Sequence, residues 1–223
     1  MRILCALALV LFSLACGKPR VLPAAAIQVQ VDSYPAGTAL FLAGRPVGTA
    51  PRTLTVESLD ALLELTATSG AEPVVEKRIR FLALDRAEVL FVFGTGNSAM
   101  AKALGLARIL VFDYGAGVTF ELNKADLRAE FLPLLDRQAS LLKTHFTGVD
   151  VLICGHTDTL GTPDFNLALS LARARSVAQD LEARGVSREH MKAQGFGSAF
   201  PVASNQTEQD RARNRRTELV LPQ

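Results

Sequence analysis

Residues 149–185 read VDVLICGHTDTLGTPDFNLALSLARARSVAQDLEARG. Val149 to Cys154 is a short apolar run of strand length, and it ends in a polar turn containing Gly155 and Gly161. Thr162 is suited to cap a helix, and Pro163 to occupy its first position, where an N–H has no intrahelical partner. Asp164 favours the positive end of the helix dipole, and Gly185 supplies the stop. Leu167, Leu171, Ala174, Ala178 and Leu181 recur at i, i+4, i+7, i+11 and i+14, which predicts the core stripe of this helix. Asn166 and Arg173 are seven residues apart and therefore share a face. That face is rotated from the Leu167/Leu171 stripe, so Arg173 is not required to enter the core.

From about Ile109 the chain alternates strands and helices. Val118–Leu122 predicts a short strand. Phe131, Leu134, Leu135, Leu141 and Leu142 recur at helical spacing. Pro133 would break a helix begun at Asn123, so the helix is expected to start near Ala129 with Pro133 in its first turn. Lys192–Phe196 and Thr217–Leu221 predict further strands, with a short polar helix around Glu208–Arg213. Residues 26–93 have a different period. Ile27, Val29 and Val31 alternate with polar residues, and strand-like runs follow at Thr38–Leu42, Thr53–Val56, Leu63–Thr66, Arg78–Phe81 and Val89–Phe93. Gly44–Gly48 reads as a turn cluster, and only a turn near Ser58–Ala61 has helical character. The expectation is a small antiparallel β-domain at 26–93, then a linker at 94–108 containing Gly94, Gly96 and a short Ala-rich stretch.

Composition narrows the function. The chain has 223 residues, 49% of them hydrophobic, and 24 basic against 22 acidic side chains give a net charge of +2. That balance argues against a polybasic nucleic-acid binder, and the apolar fraction argues against disorder. Three cysteines and three histidines leave little material for a disulfide framework or a zinc site. Met1-Arg2 followed by the apolar run Ile3–Ala15 is too short to span a membrane, which takes about 20 residues, and suits a secretory signal at 1–15. The run ends Leu14-Ala15-Cys16-Gly17 and resembles a bacterial lipoprotein signal, although Ser13 stands where that family usually has Leu. The resemblance implies acylation of Cys16, a tether over 16–25, and, from Gly17, sorting to the outer membrane on its periplasmic side. Cys154 is left as a small core residue.

Two further resemblances follow from motifs. Ser33-Tyr34-Pro35-Ala36-Gly37-Thr38, Gly44 and Gly48-Thr49-Ala50-Pro51 resemble the PEGA domain, which implies a spacer or interaction module without chemistry of its own. Gly155-His156-Thr157-Asp158, Gly161-Thr162, Asn166, Leu169-Ser170, Arg173-Ala174, Gly195-Phe196-Gly197 and Asn214-Arg215-Arg216-Thr217-Glu218 resemble the OmpA C-terminal domain over roughly 110 residues. The implied fold class is α+β: the small antiparallel β-domain followed, at 109–223, by an OmpA-like α/β sandwich with a mixed sheet and two main helices. The implied function is non-covalent binding of peptidoglycan through the diaminopimelate of its stem peptide, with no cofactor and no nucleic acid. Asp158 would take the ligand's ammonium and Arg173 its carboxylate, while Asn166 and Asn123 would line the pocket. Opposite charges at fixed separation suit a zwitterion, and a guanidinium offers the two-pronged contact that an ammonium lacks.

Plainer readings stand beside these. Asp158 alone would be a turn cap, and Arg173, Arg175 and Arg184 alone would be solvated helix charges. Asn214-Arg215-Arg216 are expected to bond within the domain, and His156 to shape the loop by hydrogen bonding rather than bind metal. Ser140-Leu141-Leu142-Lys143 matches one string of penicillin-binding enzymes, but its companion strings are absent and the segment reads as an amphipathic helix. An envelope-machine subunit docking other envelope proteins through its β-domain is the alternative function. A cell-wall hydrolase is a weaker one, because His156 and Asp158 lack a third partner.

Overall fold

A computed structural model describes residues 26–115, 119–121 and 124–223. The expected signal at 1–15, the lipidation site Cys16, the tether to residue 25 and the candidate Asn123 lie outside the described residues. The protein is α+β. In chain order the elements are β1 (Ile27–Tyr34), β2 (Ala39–Leu42), β3 (Arg45–Thr49), β4 (Arg52–Val56), α1 (Leu59–Glu64), β5 (Leu65–Thr68), β6 (Val74–Ala83) and β7 (Arg86–Phe93). There follow α2 (Ala99–Leu104), β8 (Ile109–Gly115), α3 (Leu132–His145), β9 (Val151–His156), α4 (Pro163–Ala183), β10 (Met191–Gly195), α5 (Glu208–Asn214) and β11 (Arg216–Pro222). Eight strands form one mixed sheet in the order β10-β9-β11-β8-β6-β7-β1-β4, and β3-β2-β5 form a second, small sheet.

The local signals place the long helices. A 3-10 turn at Ala129–Phe131 runs into α3, with Pro133 in the first turn. The Phe165 N–H donates to Thr162 Oγ1 at 3.3 Å to cap α4, and Gly185 beyond its end has φ +84°. Both helices lie on one face of the sheet. Leu134, Leu135 and Leu142 of α3 and Ala174, Val177 and Leu181 of α4 pack with Leu110, Phe112, Ile153 and Leu219 of the strands beneath. The same cluster continues through Ile79, Val89 and Val29, so one core serves both halves of the chain.

Several expectations are corrected. Leu167 is 52% exposed and Leu171 half-buried, whereas Ala174, Ala178 and Leu181 of the expected stripe are buried, together with Ser170 and Val177. The helix lies so close to β9 and β10 that a Cβ on Gly155 would sit 1.9 Å from the Ser170 carbonyl oxygen, leaving no room for leucines on that side. The N-terminal half is not an isolated antiparallel domain. β1 pairs parallel with β7, and β6 pairs parallel with β8, so the ladder continues across the expected linker at 94–108. Within that linker Ser98 caps α2, whose Met100 and Ala101 pack on Ile109, Val111, Cys154 and Val220 on the sheet's second face. The turn cluster at 44–48 is mostly β3, because the reversal is made earlier, at Ala43-Gly44, with φ +49° and +74°. Leu63 and Glu64 end α1 rather than begin a strand. Of the expected strand Val118–Leu122, the end residues lie outside the described set, and Phe120 makes a single bridge to Leu127.

Pleating sends alternate residues to the second face, and there the sheet carries charge. Arg78 of β6 pairs with Glu76 at 2.7 Å, Asp113 of β8 at 3.2 Å and Glu218 of β11. Arg216 pairs with Glu218 at 2.6 Å, and Ser98 donates to Glu76 at 2.5 Å. Burial alone would lower the Arg78 pKa, but Glu218, Glu76 and Asp113 hold it well above the ordinary value. Burial likewise would raise Glu218, yet Arg216 and Arg78 hold it well below the usual carboxylate range.

Lys77 closes α1, which has no basic residue in its last turn. Its Nζ donates to the carbonyls of Leu62, Leu63 and Leu65 at 2.6, 2.9 and 2.6 Å, satisfying groups that the helix end leaves unpaired. Burial pulls its pKa down to about 7. In the unfolded chain a lysine titrates near ~10.4, so between those values the unfolded state binds more protons and stability rises with pH. The urea midpoint of the native chain is expected to rise between pH 7 and pH 9.5, and this increment to shrink in Lys77→Met. An equal increment in both would refute the assignment.

Candidate binding site

The loop leaving β9 and the first half of α4 enclose a cavity of about 590 Å³. Loop residues Thr157 and Asp158 line it, as do Asn166 and Arg173 from α4. Phe120, Glu208 and Arg215 also line it. The structure therefore brings together three of the four residues expected from sequence, and the fourth, Asn123, lies outside the described residues.

Each is held in a defined way. Thr157 N–H donates to Gly197 O at 2.9 Å, tying the loop to the turn after β10. Asp158 Oδ1 accepts the Leu160 N–H at 3.0 Å, and its Oδ2 accepts from Arg215 NH1 at 2.6 Å. Asn166 is 4% exposed and uses Nδ2 on the carbonyls of Leu160 at 2.9 Å and Asp158 at 3.3 Å. Its amide thus fixes the loop bearing the carboxylate. Arg173 is 3% exposed and lies on the buried side of α4. Room exists because its guanidinium lies 5.1 Å from the centroid of the Phe120 ring, and its Nε donates to Lys124 O at 3.0 Å. Burial, then the like charge of Arg215, lowers its pKa to about 10, against the attraction of Asp158. It remains a cation at neutral pH.

Arg215 is a charged site residue that sequence reasoning missed. It was expected to bond only within the domain. It does pair with Asp158 and with Glu208, at 2.6 Å each, but it also forms cavity wall. Burial opposes its charge, and the bonds from Asp158 and Glu208 raise its pKa above the ordinary value. The available signal was the rule that a buried carboxylate such as Asp158 needs a cationic partner. Its neighbours behave as expected: Asn214 Oδ1 accepts the N–H groups of Val202 and Ala203 at 2.8 and 2.9 Å, and Arg216 is buried in the ion cluster. His156 does not hydrogen-bond the loop. Its ring stacks on Phe196 with centroids 5.5 Å apart, its Nε2 is 3.3 Å from Glu218, and burial lowers its pKa. Among the described residues, no group of three His, Cys, Asp or Glu side chains is placed to hold a metal, and no helix is long and apolar enough to cross a membrane.

Chemically, the cavity offers an anion from a loop and a cation from a helix, each anchored by backbone contacts. The model of the OmpA family matches residues 119–215. The chain is 38% identical to the peptidoglycan-associated lipoprotein of Legionella pneumophila, over 45% of this chain and 57% of that one, so it spans little more than half of that relative. It is 39% identical to the peptidoglycan-associated lipoprotein of Pseudomonas putida, over 56% of this chain and 71% of that one. The crystal structure of the peptidoglycan-associated lipoprotein from Burkholderia pseudomallei is 36% identical, covering 47% of this chain and 87% of that one, with a TM-score of 0.44. The matched region contains the β9 loop, α4 and Arg215, and on this similarity the chain belongs to the OmpA family.

Proposed function

We propose that the chain binds peptidoglycan non-covalently through the diaminopimelate of an uncrosslinked stem peptide. The observation that carries this reading is that Asp158 and Arg173 border one cavity. The names of the relatives point the same way. In this reading Asp158 receives the ligand's ammonium, Arg173 its carboxylate, Asn166 holds the loop and Asn123 completes the wall. Acylation of Cys16 would fix the other end in the outer membrane, so that the protein tethers membrane to wall from the periplasmic side, with residues 26–93 as a PEGA-like module. It binds the polymer without cleaving it and needs no cofactor.

Charge-assisted contacts contribute roughly 1.5–3 kcal/mol each, so one site binds weakly and many tethers on one polymer bind firmly. Purified chain is expected to pellet with sacculi and to be released by free diaminopimelate. Asp158→Asn and Arg173→Lys should each weaken pelleting by about tenfold or more while circular dichroism shows the chain still folded. Undiminished pelleting by either folded variant would overturn the assignment, and soluble muropeptides in the supernatant would refute a purely binding role.

A further inference from the structure

The rim of the cavity is apolar where solvent reaches it. Leu160 is 60% exposed and Phe165 49% exposed, among few large apolar side chains left this open. Both line the same cavity as Asp158 and Arg173. Neither is loosely placed. The Leu160 N–H donates to the Asp158 carboxylate, its carbonyl accepts from Asn166, and the Phe165 N–H donates to the Thr162 cap. The bonds that fix the charged site therefore also fix the rim, and exposed apolar surface held rigidly beside a binding cavity marks a contact surface.

Resting on the proposed function, we infer that Leu160 and Phe165 form a specificity rim for the small aliphatic residue covalently joined to the diaminopimelate, an alanyl residue of the stem peptide. Size supports this occupant. Diaminopimelate has 13 non-hydrogen atoms, and even at the ~30 Å³ that liquid water takes per molecule they fill about 390 Å³. The cavity, at about 590 Å³, has room for the next residue of the chain. What lies over the rim must be bonded to what lies in the cavity, and a leucine and a phenylalanine reward a methyl group and penalise a charged or strongly hydrated one.

The test compares free meso-diaminopimelate with its dipeptide to D-alanine, titrated calorimetrically into the full chain and into Leu160→Asn, Phe165→Ser and the double variant. Both positions are exposed, so the variants are expected to fold as the native chain does, which circular dichroism checks. The native chain should bind the dipeptide about fourfold more tightly than free diaminopimelate, as one buried methyl group predicts. The double variant should lose that preference and bind the two ligands equally. An equal loss for both ligands, or an unchanged preference, overturns the rim. Absence of binding of either ligand to the native chain overturns the proposed function, and the rim falls with it.

Discussion

Gly155→Ala is expected to destabilise the fold by about 4 kcal/mol or more, beyond the range of ordinary overpacking. Its added Cβ would lie 1.9 Å from the Ser170 carbonyl oxygen and 2.6 Å from the Ser170 carbonyl carbon. Those atoms belong to the backbone of α4 and cannot rotate away as a side chain would. Either the helix moves as a unit or the strand does. Because α4 carries Asn166 and Arg173 while β9 leads into Asp158, the displacement would also pull the two charges of the cavity apart. Gly195→Ala should act in the same direction less strongly, since its Cβ would meet Leu171 N and Ser170 Oγ at 2.6 Å. Urea unfolding followed by circular dichroism measures both, and a Gly155→Ala variant with a native midpoint would refute the close-approach argument.

Arg78→Met should cost about 3–5 kcal/mol, the usual consequence of removing one partner from a buried ionic cluster. The arginine is shared by Glu76, Asp113 and Glu218, and without it Asp113 is left with Arg80 at 3.9 Å and Glu218 with Arg216 at 2.6 Å. The loss should be smaller when Arg78→Met is made in an Asp113→Asn background, because one uncompensated carboxylate is then absent. Equal losses in both backgrounds would show that the two side chains do not interact. The cluster also makes a statement about organisation: Arg78 belongs to the N-terminal half and its partners Asp113 and Glu218 to the C-terminal half, so each half neutralises the other's buried charge.

The comparison of sequence with structure divides along the range of the interactions. Helix α4 was legible to within a residue or two, and α3 apart from the 3-10 turn that precedes it, because Pro133, Thr162, Pro163 and Gly185 act on their own backbone neighbours. Strand β1 was legible from alternation, which reports that a face is buried, and parts of β6 and β7 from the runs Arg78–Phe81 and Val89–Phe93. Alternation is silent on pairing direction, so the parallel ladders β1–β7 and β6–β8 were missed, and with them the fusion of the two halves into one sheet. The α4 stripe was right at Ala174, Ala178 and Leu181 and wrong at Leu167 and Leu171, because leucines at helical spacing outweighed Ser170, whose backbone approaches Gly155 closely.

The candidate site followed the same rule. Read alone, the chain specified which polar residues could face a cleft: Asp158 in a strand-exit loop, Asn166 and Arg173 two turns apart on one helix. Folding added the rest. It set Arg215, 57 residues away, against Asp158, placed the Phe120 ring by the Arg173 guanidinium, and brought Leu160 and Phe165 to the mouth. Caps, stops and periodicity are written in residues within a turn or two of each other, whereas an ion pair or a cavity wall exists only once distant segments have been packed together.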